Sequence, residues 1–298
     1  MREAGRRDRG RDILNTPARI ARMREERRRM LIKAGLVLAA CSIVVGGISW
    51  GLHRPSVRIQ TVTVSGAQVL RTDDVASFAQ QSLSGKYFFL FPKNSTFLYS
   101  DSGLTAAITS HFTRIASVHT ELDGLTTLQV AITERTPAAL WCGESYEPVA
   151  EMRECFFLDV QGLVFAVAPQ FSGNAYVAFY GPLEDTPLSR TEKSSLPLGQ
   201  KFLTTQEFAI LTKFVATMTA TLSPVEALTI DLTSRTATLS QGAEVRFSNG
   251  QDLNRLAVNL VAAVEAKRKE EKHDLATDLV YVDLRLADTS DRVYFKFK

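Results

Sequence analysis

The sequence predicts an α+β fold carried behind one membrane helix, and three observations lead to it. Residues 34–52 form an uncharged apolar run directly after an arginine-rich segment. Residues 57–136 alternate strand and helix periodicities in the order β-α-α-β-β. Residues 137–298 hold many short strand patterns and two one-sided helical stripes. With 298 residues, 45% hydrophobic and 22% charged, the chain can build two small packed domains and is too apolar for general disorder.

Residues 1–33 carry 12 of the 35 Lys/Arg but only 5 of the 32 Asp/Glu, so the net charge of +3 conceals a basic tail before an acidic remainder. That tail lacks the folded apolar pattern or aromatic platforms of a nucleic-acid-binding domain, so no nucleic acid is expected. The run AGLVLAACSIVVGGISWGL at 34–52 can, at about 1.5 Å rise per residue, cross a hydrocarbon core of roughly 30 Å. Arg22, Arg24, Arg27, Arg28, Arg29 and Lys33 precede it. The positive-inside rule therefore puts the tail in the cytoplasm and residues after His53 outside, with Trp50 at the outer interface. A cleaved signal peptide is disfavoured by the long basic region and the lack of a small-x-small site. Leu38-Ala39-Ala40-Cys41 also matches a lipobox, but the sequence stays apolar after Cys41, where a mature lipoprotein should turn polar.

In the first outer segment, residues 57–64 alternate as a strand, with Val57, Ile59 and either Val62 or Val64 available to a core. Gly66 marks a turn. Thr72-Asp73-Asp74 begins a helix with Val75, Phe78, Ala79 and Leu83 on one face, ended by Gly85. The aromatic connection at 87–92 is too short to assign. Asp101 is the expected cap of a second helix with Leu104, Ala107, Ile108 and Phe112 inside. Residues 115–122 and 125–135 form a hairpin around Asp123-Gly124. Two helices on a three-stranded sheet would bury all these faces together.

Beyond residue 137, strands are predicted at 138–141, 155–158, 164–167, 176–180, 225–231, 236–239 and 244–247. A helix at 205–222 carries the stripe Phe208, Leu211, Phe214, Val215, Met218 and Leu222. Asp252 caps another, with Leu253, Leu256, Leu260, Val261 and Val264 inside and Lys267, Arg268 and Lys269 at its C-terminal dipole end. Residues 279–286, a turn at 287–291 and residues 292–298 close the chain as an antiparallel hairpin.

Cys142 and Cys155 would lie in a compartment where disulfides persist, and a bond between them is expected, contributing about 3 kcal/mol; two unpaired thiols are the alternative. His53, His111, His119 and His273 show no metal spacing, and no nucleophile-elbow or phosphate-cradling motif occurs. No cofactor, metal or small-molecule substrate is expected. A hydrolase built on paired carboxylates stays open, since such pairs form only in three dimensions.

Four motifs in order add a resemblance. Val62-Thr63-Val64-Ser65-Gly66 resembles the start of a POTRA domain. Glu134-Arg135-Thr136-Pro137-Ala138-Ala139-Leu140-Trp141 resembles an E-R-x-P-x-A junction. Phe157-Leu158-Asp159-Val160-Gln161-Gly162-Leu163-Val164-Phe165 resembles an aromatic-Asp-x-x-Gly-x-x-aromatic hairpin, and Tyr281-Val282-Asp283-Leu284-Arg285 is the most specific. Together they resemble the FtsQ/DivIB family of bacterial cell-division proteins. The cysteine pair departs from its better-known members, as does Leu286, where an aromatic often stands.

The resemblance implies a cytoplasmic tail at 1–33, a transmembrane helix at 34–52, a POTRA domain at 57–136 and a β domain at 137–298. It implies a non-enzymatic divisome scaffold at the septum of the inner membrane. Its partners would be FtsB-like and FtsL-like proteins and septal cell-wall synthases, with the C-terminal strand accepting a partner strand. Arg285, Leu286, Val293, Tyr294 and Phe295 are the expected partner-facing residues. Arg285 would bond a partner carboxylate, and Tyr294 would give flat apolar contact. For Leu286, Val293 and Phe295 the competing expectation is a place in the core. The competing function is a POTRA-bearing envelope or secretion adapter.

Overall fold

A computed structural model describes residues 17–146, 154–171, 173–184, 197–270, 274–287 and 292–298. The first part of the basic tail, His273 and most of the turn expected at 287–291 lie outside the described residues. The chain is mixed α and β, and it divides into two compact units: residues 1–65, 72–104 and 120–130 in one, and 66–71, 105–119 and 131–298 in the other.

Helix α1, Pro17–Leu52, joins the basic flank and the apolar run without a break. Proline opens it at a position whose N–H would have no helical partner anyway. The stretch Glu25–Leu52 is apolar enough to cross a membrane, and none of it is buried by the rest of the chain. Leu36, Val37, Leu38, Ile43 and Val44 stand exposed around it, an outside that suits lipid rather than water.

The strand expected from residue 57 starts later. Pro55–Val57 is a single 3-10 turn, and strand β1 is Thr61–Ser65. The proline fixes its own φ and the Arg58 N–H closes back onto the Pro55 carbonyl, so the backbone at 57–59 pairs with residues 94–96 instead. Ile59 and Val62 are the residues that become buried. Gly66, at φ +85°, makes the turn, and a Cβ there would sit 2.1 Å from the Ile132 carbonyl oxygen, a place only glycine fills.

Helices α2, Thr72–Ser82, and α3, Asp101–His111, follow, separated by the two-residue strands β2, Lys86–Tyr87, and β3, Phe91–Pro92. Ser100, rather than Asp101, caps α3: its hydroxyl accepts from the Gly103 N–H, while the Asp101 carboxylate takes the Thr120 hydroxyl. Strands β4, Ile115–Asp123, and β5, Thr127–Glu134, turn at Asp123-Gly124, and the sheet order is β1-β5-β4.

The remaining strands form one nine-stranded sheet. They are β6 Ala139–Trp141, β7 Phe156–Leu158, β8 Val164–Val167, β9 Ala178–Tyr180, β10 Val225–Ile230, β11 Ser234–Leu239, β12 Glu244–Ser248, β13 Leu279–Asp283 and β14 Tyr294–Phe297. Their order is β14-β13-β12-β11-β10-β9-β6-β7-β8. Helix α4, Thr205–Thr221, links the parallel neighbours β9 and β10, and α5, Leu253–Glu270, links β12 and β13. Adjacent parallel strands need such a crossover, because no short turn can return the chain to the starting end. Thr204 and Glu207 bond reciprocally at the α4 start, and Asp252 accepts from the Asn254 and Arg255 N–H groups at that of α5. The stripes Phe208, Leu211, Phe214, Val215, Met218 and Leu253, Leu256, Leu260, Val264 are buried in one core with Leu228, Ala237, Val245 and Val282. Val261 and Leu222 are only partly covered.

A candidate partner-binding edge

The last hairpin is built from sequence alternation. Across β11, β12, β13 and β14, the register aligns Ala237, Val245, Val282 and Phe295 in one row facing the helices. The neighbouring rows, Thr236-Arg246-Asp283-Tyr294 and Thr238-Glu244-Tyr281-Lys296, point the other way because successive strand residues alternate faces. Those outward residues are polar or amphipathic and none is fully buried. β14 is the terminal strand, and among the described residues it pairs with β13 alone. Alternate N–H and C=O groups along such a strand point off the sheet.

Asp283 ends β13 with a local turn. Its Oδ1 accepts from the Arg285 N–H at 3.0 Å, and its carboxylate takes the Nε and Nη2 of the Arg285 guanidinium, the latter at 2.5 Å. The Arg285 hydrogen bond, more than any other influence, holds the Asp283 carboxyl below its ordinary value; the backbone bond and Arg246 add to it, while burial opposes. The same pairing raises Arg285. Beside it, the Arg246 guanidinium bonds Glu244 and lies 4.8 Å from the Tyr281 ring centroid. The outer face next to the edge is thus a set of pre-aligned charges around two tyrosines.

Of the residues expected to face a partner, Arg285, Leu286 and Tyr294 are exposed, Leu286 by 53% and Tyr294 by 47%. Val293 and Phe295 are half-buried against the helix-covered core. Tyr281 and Arg246, which sequence reading did not single out, share the outward face. The alternation of Tyr281, Asp283 and Arg285 within one motif was the available signal.

Two motif residues of the resemblance have visible structural duties. Glu134 Oε1 accepts from the N–H groups of Gln68, Val69 and Leu70 at 2.7–3.0 Å, tying down the turn after Gly66. Burial alone would raise its carboxyl, but the three backbone bonds and Arg114 outweigh it and hold the group below its ordinary value. Arg135 Nη1 meets the buried Asp159 at 2.5 Å, and Asp159 Oδ1 accepts from the Gln161 and Leu163 N–H groups. Gly162, at φ +76°, closes that turn against Phe208, whose Cγ would lie 3.0 Å from an added Cβ.

Cys142 and Cys155 form a disulfide. They are the next register position beyond the antiparallel pair Trp141 and Phe156, with Cα atoms 4.3 Å apart. Among the described residues, no three His, Cys, Asp or Glu side chains gather into a metal-holding group.

The elements define a chain with one membrane-compatible apolar helix ahead of an α+β part stapled by a disulfide. No family model matches it. Two curated relatives do, both named cell division protein FtsQ. That of Mycobacteroides abscessus is 27% identical over 202 residues, 68% of this chain but 59% of that relative's length. That of Streptomyces bingchenggensis is 24% identical over 261 residues, 86% of each chain. They support the FtsQ/DivIB family for this chain, and with it a membrane-anchored cell-division protein.

Proposed function

We propose that this protein is a non-enzymatic scaffold of the division machinery, anchored by α1 with its N-terminus in the cytoplasm and working outside the membrane at the septum. Residues 57–136 serve as its POTRA domain and 137–298 as its partner-binding β domain. The observation that supports this most is the position of β14: a strand at the end of a nine-stranded sheet, paired on one side among the described residues. An extended partner segment adds there as a tenth strand, with main-chain bonds giving affinity and side-chain pockets giving choice. Its source is an FtsB-like protein, with FtsL-like proteins and septal synthases assembled alongside.

In this reading Arg285 and Tyr294 recognise the partner from the outer face, while Leu286, Val293 and Phe295 flank the added strand. Arg285 has five N–H donors, and Asp283 takes those on Nε and Nη2, so a partner carboxylate joins an existing pair. The test is capture of an FtsB-like partner by the detergent-purified chain. Arg285→Glu is expected to weaken capture about tenfold, equivalent to about 1.4 kcal/mol, without moving the thermal midpoint. Removal of residues 292–298 should abolish it. Undiminished capture by both variants would sink the proposal.

A further inference from the structure

The feature that division scaffolding leaves unexplained is the β2–β3 hairpin. Its turn, Tyr87-Phe88-Phe89-Leu90, closes with a Leu90 N–H to Tyr87 carbonyl bond, and φ is positive at both central residues, +48° and +62°. Those are the signs of a type I′ turn, where steric preference selects Asn and Gly because they tolerate positive φ without Cβ conflict. Here two phenylalanines take the positions, and they stand 85% and 94% exposed, with Leu90 at 48%. Water is a poor surrounding for such a tip.

Its attachment says where it sits. The Ser49 hydroxyl of α1 donates to the Leu90 carbonyl at 2.8 Å, three residues before that helix ends at Leu52. Ser49 lies within the apolar stretch Glu25–Leu52. One helical turn away, Trp50 is 66% exposed and carries the Arg54 guanidinium 4.0 Å above its ring. On the hairpin itself Lys86 stands on β2, and Lys93 lies 5.5 Å from the Tyr87 ring. An apolar tip is therefore tied to the end of a lipid-suited helix and ringed by cations at headgroup level. Aromatic and basic groups partition in this way at a bilayer surface.

We infer that the hairpin tip Phe88-Phe89-Leu90 is a second membrane contact, inserted into the outer leaflet beside α1, with Lys86, Lys93 and Arg54 meeting lipid phosphates. This rests on α1 being the anchor. Two contacts instead of one restrict how the segment after residue 52 tilts and rotates over the surface. The occupant is lipid rather than protein because the tip hangs from the spanning helix at the depth of lipid chains.

The test uses the full chain in phosphatidylcholine/phosphatidylglycerol vesicles at about one copy per vesicle, in a Cys41→Ser background. An environment-sensitive dye is placed at Phe89→Cys, or at Phe88→Cys as a second variant. Val44→Cys marks the span and Leu232→Cys, at a position 96% exposed, marks water. Spin-labelled lipid should remove roughly half the emission at residues 89 and 88, as at 44, and leave 232 to aqueous iodide. Iodide quenching at 89 with lipid quenching retained at 44 overturns the hairpin contact and leaves the anchor intact. Protection at 89 from both quenchers means another protein copy covers it, and also overturns the inference. Absence of lipid quenching at 44 removes the anchor and the hairpin contact together.

Discussion

At the scale of single residues, Glu134 and the Arg135–Asp159 pair illustrate how charge is spent on shape. Glu134 holds three backbone N–H groups that the turn at 68–70 cannot satisfy from a helix or sheet. Its folded carboxyl titrates below its ordinary value, so its contribution is fully present above the unfolded value of about 4.3 and is lost as pH falls through the folded one. Glu134→Gln should cost about 1 kcal/mol at neutral pH, and the gap to wild type should close in acid, read from thermal midpoints along a pH series. A constant gap across that series would contradict the assignment. Asp159 is 3% exposed, so removing its cation leaves a buried charge unmatched. Arg135→Met is expected to cost about 3 kcal/mol, and the double variant with Asp159→Asn less than the sum of the singles. Both motifs were visible in the sequence through resemblance alone. Their duties were not, because the partners of Glu134 lie more than sixty residues away and are backbone groups, which carry no sequence signal.

Among elements, those with long periodic stripes were legible and those set by contacts were not. The α4 and α5 stripes turn up buried nearly residue for residue, because a repeat near 3.6 over four turns has only one helical reading. β1 moved because Pro55 redirected a local alternation, and the Ser100 cap was missed because Ser and Asp stand side by side as equally able acceptors. The union of β6–β9 with β10–β14 in one sheet depends on strand order, which is nonlocal and left no trace in periodicity. The half-burial of Val293 and Phe295 against exposed Tyr294 follows from the β13–β14 register, also unavailable from one strand. The disulfide at the β6–β7 pair was legible from compartment and count. Cys142→Ala with Cys155→Ala should lower unfolding free energy by about 3 kcal/mol, measured by denaturant unfolding of the purified chain. A loss close to zero would mean the strand pair holds its own geometry without the staple.

For the whole molecule, the basic flank, the apolar helix and the disulfide form one connected argument about sides of a membrane. Arginines ahead of the apolar run favour the cytoplasm, and whatever follows Leu52 is then delivered across. A disulfide persists on that side and is reduced on the other, so Cys142–Cys155 reports orientation from within the chain. Cys41 is a free thiol on the membrane helix and serves as the internal reference. Alkylation of denatured protein from cells, without reductant, should label Cys41 only; reductant should add two labels, counted by mass. Replacing Arg27, Arg28 and Arg29 with Glu removes the charge bias next to the span, and a fraction of the chains should then appear with three alkylated thiols and no bond. Full labelling of the unaltered protein without reductant would place the folded part in the cytoplasm, where β14 could not meet an outer partner, and the scaffold proposal would fall with it.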